Sequence, residues 1–306
     1  MLPALLLYAT VVNITVVNTT VVDTVRDYIA QHNFVAAERQ VREYQSRAGA
    51  TPELAEAVSW IARGQLAVKN YPAAETYASQ TRKISEALLH KRKLDAEPQL
   101  PIALGASIEV HAQTLAAQGQ RSEAVTFLQD QSKLFAGTSI VERIRKNLNL
   151  LSLEGKPAPE LEEGDWIGSK PSALASLRGH PVLLFFWAHW CPDCKGEAPL
   201  IADLQRIFGP KGLTVIGPTK FYGYAANGDD ATPAAEKPYI AKVRSEFYGM
   251  LPKMAVPLSA ANFQAYGAST VPTIVLIDST GIVRLYHPGA MPESELSAKI
   301  QAVLRK

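Results

Sequence analysis

Cys191 and Cys194 are the only cysteines among 306 residues, and they stand in Trp190-Cys191-Pro192-Asp193-Cys194, just after the apolar run 181–187. A Cys-x-x-Cys where a strand passes into a helix is a dithiol suited to thiol–disulfide exchange. The strand would deliver Cys191 to the surface, and the following helix would aim its free N–H groups and positive dipole end at that sulfur, favouring the thiolate. Cys191 is therefore the expected nucleophile. Cys194, one helical turn further in, would attack a mixed disulfide on Cys191 and release the partner reduced. A structural zinc site needs about four ligands, and neither a second cysteine pair nor a His-x₃₋₅-His follows. The reading calls for no metal and no cofactor.

The elements that must hold this pair come from a chain long enough for about two domains. With 47% hydrophobic and 20% charged residues it reads as globular. A net charge of +2 gives no argument for nucleic acid as a partner. The first 22 residues carry no charged side chain and contain a repeat of about five residues rich in β-branched types. Residues 1–22 are read as a signal or an anchor, or else as a misassigned start or a disordered tail, because a basic n-region and a clear cleavage site are both missing.

From Thr24 to Leu151 aliphatic residues recur at helical spacing with few interior glycines or prolines, so residues 23–152 are expected to form an all-α domain. Three helix-turn-helix units align: Asn33-Phe34 then Ala37, Asn70-Tyr71 then Ala74, and Gly119-Gln120-Arg121 then Ala124. Each sets a small residue where two antiparallel helices must approach closely. The pattern resembles the tetratricopeptide repeat, and Ala112, Leu115, Gly119 and Ala124 keep that family's spacing in the third unit. The aligned alanines lie 37 and then 50 residues apart rather than at a constant period. Such a superhelix would offer a concave surface for a protein partner; a plain supporting bundle is the other reading. Lys91-Arg92-Lys93 reads as a solvated helix end. Pro98 and Pro101 are taken to mark a loop, and 154–160 an extended linker into a new domain covering 153–306.

That second domain shows an unbroken apolar strand before the cysteines, as expected of a strand covered on both faces. A helix from about Cys191 to Phe208, a strand over 213–216, an insertion, a helix near 238–250, strands over 273–278 and 282–286, and a last helix from about Glu293 complete it. This order, βαβ followed by ββα, is α/β and thioredoxin-like. Residues 155–159 and 177–199, with Val271-Pro272-Thr273 and Asp278-Ser279-Thr280-Gly281, resemble the TlpA/ResA family of extracytoplasmic thioredoxin-like reductases.

The resemblance implies Cys191 as attacking and Cys194 as resolving thiol, with Pro272 in cis beside them. It leaves the Val271 backbone free to pair with a substrate strand, and it puts Trp190, Pro192 and Val271 on the docking surface. Pro199 would kink the active-site helix. Glu197 matches the family's acidic residue and would shuttle the Cys194 proton; its competing reading is a solvated helix residue. Phe185 replaces the buried aspartate of thioredoxin itself, six residues before the first cysteine. Asp193 opposes thiolate formation and so argues for a reductant. His189 is read as solvated, with partial compensation of Asp193 as the alternative.

The loop 218–238, with Phe221, Tyr222 and Tyr224, is read either as a rim over the active site or as a long loop held by aromatic anchors. The function that follows is a reductase of specific protein disulfides, recharged by a membrane dithiol donor in an extracytoplasmic compartment such as a periplasm. The alternatives are a repeat scaffold with a vestigial dithiol and a copper or haem chaperone with His287 as a distant ligand. A peroxiredoxin is disfavoured because Leu184 and Ala188 stand where its Pro and Thr belong.

Overall fold

A computed structural model describes residues 19–305. Seven helices come first: α1 (Val21–Ala30), α2 (Phe34–Ala48), α3 (Pro52–Ala67), α4 (Tyr71–Leu89), α5 (Gln99–Ala117), α6 (Arg121–Leu134) and α7 (Val141–Ser152). The three turns expected from the sequence join α1 to α2, α3 to α4 and α5 to α6, and they share one geometry. His32, Lys69 and Gly119 each take a positive φ, of 56°, 61° and 84°. The next residue in each case, Asn33, Asn70 or Gln120, donates its N–H back to the carbonyl of Tyr28, Gln65 or Leu115 at 2.8–2.9 Å. This 6→1 bond satisfies a carbonyl orphaned at the helix end. Ala37, Ala74 and Ala124, four residues beyond, are each 0% exposed, so a larger side chain there would push the paired helices apart.

Two expectations for this half change. Positions 1–18 of the expected N-terminal segment lie outside the described residues, but Thr20 to Val22 belong to the helices. Thr20 caps α1 in a reciprocal capping box with Asp23, and Val21 and Val22 are buried with Leu54, Val58 and Ile61. Pro98 and Pro101 mark a helix start rather than a loop: Pro98 is the N-cap residue of α5 and Pro101 lies in its first turn. A proline costs little there, because the N–H it lacks has no intrahelical partner anyway.

The second half has a four-stranded sheet in the order β3-β2-β5-β6, made of β2 (Val182–Phe186), β3 (Thr214–Ile216), β5 (Thr273–Ile277) and β6 (Val283–Pro288). Strands β2 and β3 are parallel, while β5 runs antiparallel to both β2 and β6. Every residue of β2 is buried, as its apolar run requires. On one face α8 (Pro192–Phe208), α9 (Pro233–Phe247) and α11 (Glu293–Leu304) cover Leu183, Phe185 and Ile274. On the other, α10 (Ala260–Tyr266) covers Leu184, Phe186 and Val275. Helix α10 and the short antiparallel pair β1 (Trp166–Ile167) and β4 (Val256–Pro257) were not expected from the sequence.

Glu154 to Lys156 make a turn, with Gly155 at φ 81° and Lys156 N–H on Leu153 O, so the extended linker expected over 154–160 holds only from Pro157 on; Gly155 donates to Val283, Val283 to Lys156, and Ala158 to Gly281. Helix α7 spans the junction. It packs on α5 and α6 and also on α10, and Leu153 just after it belongs to the core beneath the sheet.

Candidate active site

Just after strand β2 comes Trp187, whose indole N–H donates to Gly217 O (2.9 Å) and whose carbonyl accepts from the Thr219 hydroxyl (2.8 Å). The chain then turns through 188–190, and Cys191 N–H returns to Ala188 O at 3.1 Å. Cys191 is the N-cap of α8, with Pro192 at the first helical position, where its fixed φ suits a helix start. The Cys194 N–H donates to Cys191 Sγ at 3.0 Å. The helix N-terminus thus points at this sulfur, where it favours negative charge.

The two cysteines are joined as a disulfide, with Cα atoms 5.3 Å apart. Contrary to the expectation of a surface thiol, Cys191 is only 2% exposed and Cys194 0%. Trp190, at 45%, forms the open face beside them, flanked by exposed Pro192 and Asp193. The Val271–Pro272 bond is cis, and Val271 O lies 3.6 Å from Cys191 Sγ. That loop is held from both sides, by Thr273 Oγ1 donating to Thr270 O (2.6 Å) and Gly289 N–H to Pro272 O (2.7 Å).

Glu197 lies one turn beyond Cys194, on the same side of α8, and is half-buried. Burial pushes its carboxyl above the ordinary glutamate range; His287 pulls against this and Asp193 adds to it. Its Oε2 is buried without a hydrogen-bond partner. A carboxyl so held has its protonated form favoured by burial and can take up and return a proton. Pro199 lies in the interior of α8 and Phe185 is fully buried in the core.

His189 overturns its expected solvation. It is 1% exposed and its Nε2 lies 3.1 Å from Glu236 Oε1. Glu236, 0% exposed, also accepts the backbone N–H groups of Tyr222 (2.6 Å) and Gly223 (2.9 Å). The rings of Tyr222, Tyr224 and Tyr239 stand edge-on around the imidazole at 5.3–5.4 Å. Burial lowers the His189 pKa, with the Glu236 bond opposing. The lowered pKa, together with a buried Nδ1 that has no partner for a second proton, favours the neutral imidazole, which does not compensate Asp193. Glu236 was missed because a single glutamate in the first turns of a helix carries no signal of its partners.

The 218–238 segment is both of the things it was read as. Its aromatics anchor it, and Tyr222 packs edge-on against Trp190 at 5.6 Å, so the segment also forms the rim. Residues 233–238 of it belong to α9. A groove of about 820 Å³ between α8 and β3 involves neither cysteine.

A family profile described as "Thioredoxin-like domain" matches residues 172–304. The "Thiol:disulfide interchange protein DsbE" of Xylella fastidiosa is 32% identical over 159 residues, covering 50% of this chain and 70% of the relative. The "Thiol-disulfide oxidoreductase ResA" of Geobacillus thermodenitrificans is 26% identical over 149 residues, covering 49% and 77%. A solved structure of a thiol:disulfide interchange protein DsbE from Chlorobium tepidum is 27% identical, covers 49% of this chain and 97% of its own, and superposes with a TM-score of 0.38.

Proposed function

The chain belongs to the family of thioredoxin-like thiol–disulfide oxidoreductases, and from that premise we propose that it reduces disulfides of specific protein partners through Cys191 and Cys194. The observation that carries this reading is the Cys191 sulfur itself. It sits at the N-terminus of α8, accepts the Cys194 N–H, and faces the Val271 carbonyl beside the cis proline. Cys191 in its thiolate form attacks a sulfur of the partner disulfide. The new S–S bond links partner and enzyme, and the other partner sulfur leaves as a thiolate. Cys194 then attacks Cys191 Sγ, the intramolecular disulfide forms, and the partner departs with both sulfurs reduced. Glu197 takes the Cys194 proton during the second step. Trp190, Pro192 and Val271 form the docking face, and Pro272 shapes it.

Reduction is favoured over oxidation by Asp193, whose charge at the helix start opposes the thiolate. The three helix hairpins with a common turn support a tetratricopeptide-like role for residues 23–152 in holding a protein partner. A membrane dithiol supplies the electrons, in an extracytoplasmic compartment. No helix among the described residues is long and apolar enough to cross a membrane. A Cys194→Ser variant should accumulate a partner as a mixed disulfide on Cys191, whereas Cys191→Ser should trap nothing and reduce nothing. Trapping by Cys191→Ser instead would reverse the two roles.

A further inference from the structure

A groove of about 300 Å³ opens beside the disulfide, and its walls come from both halves of the chain: Trp190, Lys220, Tyr222, Ser269 and Thr270 on one side, and Glu142 of α7 on the other. Glu142 is held there rigidly. Lys220 Nζ donates to its Oε1 at 2.7 Å and Oε2 at 3.0 Å, and the two side chains are only 18–19% exposed. The ammonium also lies 4.9 Å from the Phe263 ring centre and 5.7 Å from that of Tyr222. Behind the pair, α7 is seated on α10 with almost no clearance: a Cβ on Gly267 would overlap the backbone of Arg145 and Lys146.

The hydrogen-bond inventory of the groove is uneven. A carboxylate offers about four acceptor sites and an ammonium three donors. Two of each are consumed in the pair, which leaves more acceptor than donor capacity. Ser269 and Thr270 are exposed, and the Tyr222 hydroxyl is buried without a partner. Burial, and after it the charges of Glu142, Tyr224 and Glu236, oppose ionisation of that phenol, so it stays a neutral hydroxyl facing the groove.

The groove ends at Val271, next to Cys191. A strand spans about 3.3–3.6 Å per residue, so the side chain beside a partner cysteine bonded to Cys191 would come within reach of this groove, whose Val271 carbonyl lies 3.6 Å from Cys191 Sγ. We propose that Glu142 is a specificity-determining residue, by which the helical half selects partners whose residue flanking the reactive cysteine donates hydrogen bonds, as Lys, Arg, Asn or Gln do, and rejects Asp or Glu. A donor side chain meets the free acceptor sites. A carboxylate brings no donor to those acceptor sites and loses its own hydration in a half-buried gap. The inference rests on exchange at Cys191, and the test separates the two.

Two peptides with an intramolecular disulfide, differing only in Lys or Glu beside one cysteine, are reduced by the pre-reduced full-length protein, and kcat/KM is compared. The wild type should favour the Lys peptide by about tenfold, falling to about twofold or less in Glu142→Gln and persisting in Glu142→Asp. Circular dichroism and thermal unfolding verify that Glu142→Gln is folded. Lys220→Gln, which leaves Glu142 unneutralised, gives an independent reading and should widen the preference. A wild-type ratio near one, or a ratio unmoved in both Glu142→Gln and Lys220→Gln, overturns the proposal. A wild type that fails to reduce even a small aromatic disulfide overturns exchange at Cys191 instead.

Discussion

Replacing Glu236 with alanine tests how the rim is held to the active-site turn. The carboxylate accepts three donors, Tyr222 N–H, Gly223 N–H and His189 Nε2–H, at 2.6, 2.9 and 3.1 Å, with none of its surface exposed. Each buried donor left without an acceptor costs about 1–3 kcal/mol, and water entering the vacated volume recovers part of this. With that recovery, the net loss from three stranded donors should be about 3–5 kcal/mol. That is a large share of a typical total of about 5–15 kcal/mol. At roughly 2–4 °C per kcal/mol, the midpoint of the second half should fall by roughly 6–20 °C.

Glu236→Gln should lose less than half as much, because Oε1 carries two of the three bonds and the amide oxygen can take its place. Urea and thermal unfolding of the oxidised full-length protein provide the measurement. A loss below about 1 kcal/mol for Glu236→Ala would show that the aromatic cage holds the loop without the carboxylate. The pair also has a pH signature. The folded pKa of His189 is depressed, so its contribution to stability is complete above the unfolded value of about 6.5 and is lost as pH falls through the lower folded value.

Glu197→Gln should slow disulfide reduction and remove the limb of the pH–rate profile that reports its raised carboxyl; an unchanged profile would reduce Glu197 to a packing role. Gly267→Ala should destabilise by about 2–4 kcal/mol, since φ is +60° and the new methyl would lie 2.8 Å from Lys146 Cα. The loss is read by denaturant unfolding, and a cost below about 1 kcal/mol would mean that α7 readily slides on α10. Burial raises the Asp278 carboxyl, but bonds from Thr280, Ile282 and Arg284 prevail and hold it at about 2. Its contribution should therefore be complete above about pH 4 and vanish as pH falls through about 2. Acid unfolding of Asp278→Asn should lack that component.

What the sequence disclosed was carried by local signals. A strand running into Cys-Pro-Asp-Cys and a Val-Pro-Thr before a second apolar run each declare their geometry within a few residues. The same holds for the three helical turns, where a polar turn residue is followed by a small residue that the structure buries; the positive φ at His32 and Lys69 has no such local signal. What escaped was carried by distance or brevity. His189 looked solvated because its partner lies 47 residues away. The Lys220–Glu142 pair joins residues 78 apart. Helix α10 has seven residues, about two turns, too few for a periodic pattern to stand out, and strands of two residues leave no alternation to read.

Helix α7 bears most directly on how the halves cooperate, because its faces are claimed by different neighbours. Toward the helices, Arg143 and Lys146 both reach Glu109, at 2.7 and 3.4 Å, and Asn147 accepts from Gln113 at 2.8 Å. Arg121 of α6 closes its C-terminal end by donating twice to Leu151 O. Toward the dithiol half, Glu142 holds Lys220, Asn149 donates to Ala265 O at 3.4 Å, and α10 presses on 145–146 through Gly267. The helical half can swing relative to Cys191 only by stripping α7 from one set of these partners, which would strand half-buried charges on Glu109 or Glu142. The same helix therefore fixes the helical half against the dithiol half, and its Glu142 lines one groove with Trp190 and Val271 beside Cys191.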